Sequence, residues 1–144
     1  MLIKAAGLIV YRFSNVSSKK AIEFLLLKAS YGNHHWSPPK GIVNDKEDLI
    51  ETAVRETKEE TGLDKQYLKI FYDKLPIISE YKINGKPKTV YYWVAKLLAH
   101  KEIILSKEHV KYKWCDCSEA YNLVGHEEMK VALKTASTII SQSS

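Results

Sequence analysis

Arg55-Glu56-Thr57-Lys58-Glu59-Glu60-Thr61-Gly62-Leu63 sets three carboxylates at i, i+3 and i+4, a spacing that gathers them on one side of a helix. Like charges so placed repel, and a helix gains nothing from them unless a cation sits between them. Ligands that are all oxygen suit a hard ion, Mg²⁺ or Mn²⁺. Such an ion and a well-placed water can hydrolyse a phosphoanhydride, which requires neutralised phosphate oxygens and an in-line nucleophile. Glu56 and Glu60, one turn apart, are the expected metal ligands. Glu59 lies between them around the helix and is either a third ligand or the base that takes the proton of water. Arg55 is expected to orient a carboxylate of this group, with Glu59 as its i+4 partner, although that order is the weaker one on a helix. Glu47, before the helix, could reach back to the cluster or cap the first turn. Gly41 would let backbone approach the ion closely; the plainer reading is a turn glycine.

These groups must be carried by a helix that starts near Asp45 to Asp48 and runs to about Thr61. Asp45, Glu47 and Asp48 suit its N-terminal dipole, and Gly62 is a natural stop. Ile50, Ala53, Val54 and Thr57 form its buried stripe. The Glu56/Glu60 edge adjoins that stripe, which puts the carboxylates at the margin of the core. Residues 2–11 and 22–27 read as strands, with the polar stretch Ser14 to Lys20 as a hairpin-like loop between them. Trp36-Ser37-Pro38-Pro39-Lys40-Gly41 reads as a stiff loop leading into the helix. Further strands are expected at Leu68–Tyr72, Ile77–Ile83, Thr89–Leu98 and Lys111–Cys115, with a turn at Asn84-Gly85. Short and long helices follow at Ser118–Leu123 and Glu127–Ile140, and Ser141 to Ser144 should fray. This order argues for an α/β protein, a mixed β-sheet between helical layers.

The 144 residues are enough for one domain, 1–144, with a core that needs no staples. No apolar run reaches membrane-spanning length, and the apolar N-terminus reads as a strand, not a signal peptide. Cys115 and Cys117 are i, i+2 and would share a strand face, where a bridge is rarely built. They are expected as free thiols in a reducing compartment, and no second pair exists for a zinc site. The net charge of +5 suits a polyanionic substrate. Lysines are scattered and no nucleic-acid-binding motif occurs, so nucleic acid is not an expected partner.

The whole spacing, G-x5-E-x7-R-E-x-x-E-E-x-G-x from Gly41 to Leu63, resembles the Nudix box of the nucleoside-diphosphate-linked-moiety hydrolases. That resemblance implies an α/β/α sandwich and a metal-bound carbonyl near Lys40-Gly41. Thr57 stands where the box usually has an aliphatic residue, which narrows the subfamily. The flanking segments resemble the asymmetrically cleaving diadenosine tetraphosphate (Ap4A) hydrolases of animals, over nearly the whole chain. The resemblance rests on Lys4-Ala5-Ala6-Gly7-Leu8-Ile9, Ile22 to Ser30, His34-His35-Trp36-Ser37-Pro38-Pro39-Lys40-Gly41, Lys86-Pro87-Lys88-Thr89-Val90 with Tyr92-Trp93, Leu105-Ser106-Lys107-Glu108-His109 and Glu128-Met129-Lys130. It implies cleavage of Ap4A to ATP and AMP by a monomer. In the absence of a targeting segment a cytoplasmic enzyme is expected, with a nuclear fraction open to a chain of this size.

Carried over residue by residue, the resemblance gives the substrate a site. Lys86 and Lys88 flank Pro87 on one side of an extended segment and could straddle the polyphosphate; they could equally be solvated turn lysines. Lys40 is a similar phosphate candidate. His35 could donate to a phosphate or assist a leaving group, against the plainer reading of a surface histidine. Glu108 would lie near the metals as ligand or base, or else it is an exposed loop acid beside His109. Tyr92 would donate its hydroxyl to phosphate, or else fill the core. Tyr81 matches one of two positions that stack on adenine. The other is commonly Tyr or Phe, and here it is His126, which offers less area and a titrating ring. The same metals would serve two rival substrates, RNA 5′ ends and diphosphoinositol polyphosphates. A non-catalytic nucleotide-binding module is the remaining rival, but such a module usually loses box carboxylates that this chain keeps.

Overall fold

A computed structural model describes residues 2–14, 21–32 and 34–143. The expected loop after Ser14 falls on 15–20 and lies outside the described residues, as does Ser144. The strands are β1 (Ile3–Ser14), β2 (Ala21–Ala29), β3 (Trp36–Ser37), β4 (Lys40–Ile42), β5 (Leu68–Ile70), β6 (Ile77–Ile83), β7 (Lys86–Leu97) and β8 (His109–Asp116). The helices are α1 (Leu49–Thr61), α2 (Cys117–Val124) and α3 (Glu127–Gln142).

β1 and β7 run parallel through the centre, in register from Ile3 opposite Lys88 to Tyr11 opposite Lys96. The other pairings are antiparallel: β2 and β4 on β1, β5 and β6 on β7, β3 and β8 on β2. The sheet is therefore mixed. Its central strands are apolar at consecutive positions because both faces are covered. Ile9, Phe24 and Leu26 face α2 and α3, packing with Leu133, Ala136 and Ile140. Leu8, Val10, Leu25 and Leu27 face α1, packing with Ala53 and Leu63. The result is the α/β/α sandwich that the order of elements implied. Among the described residues no helix is long and apolar enough to cross a membrane.

α1 begins at Leu49, one residue after the expected acidic group. Asp48 is its N-cap, in a reciprocal box: Asp48 Oδ1 accepts the Glu51 N–H at 2.9 Å, and Glu51 Oε1 accepts the Asp48 N–H at 3.1 Å. Gly62 ends it in the left-handed region at φ 78°, giving its N–H to the Lys58 carbonyl. The inner face is more polar than expected. Thr52, Thr57, Glu60 and Thr61 are buried along with Ala53, so Glu60 lies inside the core and not at its margin. Ile50 and Val54 pack on the edge of the cluster.

The stiff loop expected at Trp36–Gly41 is instead two short strands separated by the prolines. Pro38 and Pro39 supply no N–H, but the Pro39 carbonyl accepts the Leu8 N–H at 3.2 Å. The flanking residues therefore pair with β2 and β1. β7 also starts earlier than expected, at Lys86. The Asn84-Gly85 turn joins it to β6 with Ile83 opposite Lys86, which brings both lysines of Lys86-Pro87-Lys88 into the strand. Cys115 and Cys117 are free, but they share no strand face: Cys115 lies in β8, one residue before its end, and Cys117 opens α2. Burial pushes the Cys115 thiol up to about 12.

Thr57 is fully buried and its hydroxyl has no hydrogen-bond partner among the described residues. Desolvating a hydroxyl without a partner costs about 1–3 kcal/mol. Thr57→Val keeps the branched shape and removes that cost. We expect it to raise the urea midpoint, by about 1 kcal/mol of stability. An equal or lower midpoint would mean that the hydroxyl has a partner in solution.

Candidate active site

α1 presents its carboxylates to the loop before it. Arg55 organises them from the middle. Its Nε and Nη2 donate to Glu47 at 2.6 and 3.0 Å, its Nη1 to Glu56 at 2.8 Å and Glu59 at 3.2 Å, and its Nη2 to the Ile42 carbonyl at 3.3 Å. The expected Glu59 contact exists, but the bidentate partner is Glu47. Glu47 also accepts the Thr52 hydroxyl at 2.8 Å, so it anchors Arg55 and leaves the helix cap to Asp48. The Arg55 guanidinium holds the Glu47 carboxyl down at about 2.

Glu56 and Glu60 are the inner pair, and Glu59 is 55% exposed beside them. The Glu56 carboxyl lies directly against the Cα of Gly41, where a Cβ would occupy the same space as the carboxyl atoms. Gly41 thus serves a close approach and is no plain turn residue. Burial raises the Glu56 carboxyl, an effect that Arg55 opposes. Glu60 is only 5% exposed. Burial first, then the charges of Glu56 and Glu108, push it up to about 8, against the Lys40 N–H that it accepts at 3.1 Å. Glu108 is 48 positions beyond Glu60 in sequence. Its charge reaches Glu56, Glu60 and Lys40 all the same, because its carbonyl accepts the Ser30 N–H at 2.9 Å and so holds its segment beside the end of β2.

Among the described residues no three His, Cys, Asp or Glu side chains are grouped so as to hold a metal ion; Arg55 holds Glu56 and Glu59 by one nitrogen instead. The donors present still fit Mg²⁺ or Mn²⁺. They are hard oxygens, one of them a carboxylate packed on backbone and one buried beside it. Mg²⁺ keeps several waters and commonly takes only one or two carboxylates. Glu56 and Glu60, with backbone at Gly41, would hold it.

Next to the carboxylates is a cleft of about 360 Å³. His35, Lys40, Tyr81, Lys88, Tyr92 and His126 all line it. Lys86, two residues before Lys88, is exposed and does not. Lys40 joins the two regions: its backbone N–H holds Glu60 and its side chain enters the cleft. There it meets the Lys88 amine. Burial and Lys40 lower Lys88 to about 8, and burial lowers Lys40 too, with Glu60 opposing. Two desolvated amines side by side make a ready anion site. His35 is held toward its neutral form by burial and by Lys40, His126 and Lys88. Tyr92 is buried and its phenol is pushed well up, so it can act only as a neutral donor or acceptor. At the mouth the Tyr81 and His126 rings stand 5.7 Å apart at 40°.

Tyr31, Ser37, Lys82, Ile83 and Met129 also line the cleft and were not singled out in the sequence. Tyr31 carried one available signal, its place between the motifs ending at Ser30 and starting at His34. A larger depression of about 660 Å³ lies between Arg12, Glu23 and the segment from Lys96 to His100. Its carboxylate, Glu23, is tied to Arg12 at 2.8 Å, and none of the α1 carboxylates reaches it.

Comparison with known proteins agrees with this geometry. A bis(5′-nucleosyl)-tetraphosphatase (asymmetrical) of Caenorhabditis elegans is 44% identical over 141 residues, covering 98% of this chain and 99% of its own. The Rattus norvegicus protein of that name is 44% identical over 137 residues, covering 93% and 92%. The crystal structure of a C. elegans Ap4A hydrolase binary complex superposes with a TM-score of 0.90 at 43% identity, over 97% of this chain and 98% of that one. The family model of the NUDIX domain matches residues 1–135. Box spacing, α/β/α fold and full-length similarity agree, and the chain belongs to the Nudix hydrolase family.

Proposed function

We propose that this chain is a single-domain, monomeric hydrolase that cleaves Ap4A asymmetrically to ATP and AMP with Mg²⁺, or Mn²⁺ in its place. The observation that carries this is Lys40. One residue binds the buried carboxylate of the box and opens into a cleft that has paired amines inside and aromatic rings at its mouth. That arrangement suits a polyphosphate ending in a nucleobase.

In this reading Glu56, Glu60 and the Gly41 backbone hold the ion, with Glu59 or Glu108 completing the set. When bound, the ion neutralises phosphate oxygens and activates water. Glu59 or Glu108 accepts the proton as the oxygen of water bonds to phosphorus and the bridging P–O bond breaks, with ATP as the leaving group. Arg55 positions the carboxylates. Lys40, Lys88, His35 and the Tyr92 hydroxyl take phosphate oxygens, and Lys86 meets the substrate outside the cleft. Tyr81 and His126 hold one adenine.

Turnover should require the divalent ion and stop on chelation, and Ap4A should give the highest kcat/KM in a panel with RNA 5′ ends and diphosphoinositol polyphosphates. Higher kcat/KM for either rival would replace this substrate. Lys88→Met should raise KM for Ap4A about tenfold or more with a smaller change in kcat, the size of one charge-assisted hydrogen bond. The ammonium loses its proton as pH rises through about 8. The wild-type kcat/KM should therefore fall above that pH, and the part of the fall due to Lys88 should vanish in Lys88→Met. An unchanged KM would mean that the phosphates lie elsewhere.

A further inference from the structure

His126 is the N-cap residue of α3, yet its side chain makes no capping bond. The ring lines the cleft together with Tyr81 and Met129. Its Nδ1 lies 3.4 Å from Glu128 Oε2, a contact that becomes an ion pair only when the ring is protonated. At 42% exposure the ring can exchange protons with solvent while it faces the cleft.

We propose that His126 makes nucleotide binding proton-linked: its protonated ring adds a positive charge beside the polyphosphate and stacks on the purine as a cation, so dinucleoside polyphosphates bind more tightly at mildly acidic pH. The inference rests on the cleft being the nucleotide site.

Imidazole is the side chain whose charge changes in the neutral range, and a tyrosine or phenylalanine here could not do this. A cation over an aromatic face gains energy that a neutral ring does not. The surroundings divide. Lys82 on β6, Lys88 on β7 and Lys40 on β4 oppose a new charge, as does any proton on His35. Glu127 and Glu128 in the first turn of α3 favour it, and Tyr81 is neutral. A bound tetraphosphate brings several negative charges and tips this balance. By linkage, a ligand that favours the proton is favoured by it in equal measure.

The test uses a non-hydrolysable Ap4A analogue with methylene bridges, titrated calorimetrically at pH 6 and pH 8 at constant Mg²⁺. The preference for pH 6 should be about fivefold larger in wild type than in His126→Phe, the effect of one charge near a polyanion at the protein surface. Titration of Lys88 and Glu60 is common to both proteins and cancels in the ratio; His35, which feels the His126 charge, is followed separately by its own ring signal. In ¹³C-histidine-labelled wild type, the analogue should shift the His126 ring titration to higher pH, a readout that needs no variant. Equal pH preference in wild type and His126→Phe, or a ring titration that the analogue does not move, overturns the inference. Absence of analogue binding at both pH values would overturn the nucleotide site itself, and the inference with it.

Discussion

Glu60→Gln is expected to lower kcat for Ap4A by about 10²- to 10³-fold, the loss that follows removal of one group stabilising transition-state charge. It should also stabilise the metal-free protein at alkaline pH. The second effect follows from where the carboxyl sits. Burial pushes it from the ordinary 4.5 up to about 8 in the fold. A carboxyl raised by folding opposes folding once the unfolded chain ionises. Metal-free stability should therefore decline as pH rises from about 5 to 8 and level off above. Glutamine carries no such cost, so the gain of the variant should open over the same window and reach a few degrees in Tm at pH 8.5. Mg²⁺ should reverse the order. It should raise the Tm of wild type, releasing a proton near neutral pH as it binds, and leave the variant almost unmoved. Thermal melts at pH 5 and 8.5, with and without Mg²⁺, separate these effects from the kinetics. A variant with wild-type kcat, or one no more stable than wild type at pH 8.5 without metal, would remove Glu60 from the proposed metal site.

Gly41→Ala should cost kcat/KM about 10²-fold while leaving the chain folded. The glycine is not in a left-handed conformation, so alanine meets no backbone penalty there. What it meets is the Glu56 carboxyl, in whose place the new Cβ would stand. Either Glu56 swings out and loses its 2.8 Å contact with Arg55, or β4 moves off β1 and carries Lys40 away from Glu60. Both displace a proposed metal ligand by about 1 Å or more, enough for a loss of this size. A glycine needed only for a turn would show the opposite pattern, reduced stability with kcat/KM intact. Steady-state kinetics beside a urea melt tell the two apart, and activity within twofold of wild type would contradict the packing described.

Much of this site is local in sequence and could be read there. The helix start at Asp48 and its stop at Gly62 depend on capping and backbone chemistry within a few residues, and both appear where the signals stand. The apolar runs of β1 and β2 mark strands buried on two faces. What could not be read depends on pairings between distant segments. Nothing near Glu60 announces its depth, which comes from β4 closing over α1 through Lys40. The grip of Glu47 on Arg55 crosses eight positions and a loop, beyond any helical spacing rule. Pro38 and Pro39 argued against regular structure because they lack N–H groups. Yet one of their carbonyls pairs with β1, and acceptors are blind to that rule. Lys86 and Lys88 share a side of one strand, as alternation requires, but the cleft ends between them and takes only Lys88. Tyr31, Ile83 and Met129 entered the cleft from three separate segments that only the fold brings together.

The most direct test of the proposed reaction is a product analysis. The protein is incubated with Ap4A and Mg²⁺ in ¹⁸O-labelled water, and the nucleotides are separated and weighed. ATP plus AMP, with the label in AMP, is the predicted result; it places the attack of water on the phosphate next to one adenosine. Two molecules of ADP, or label in ATP, would contradict the placement of substrate argued from Lys40, Lys88 and the aromatic mouth.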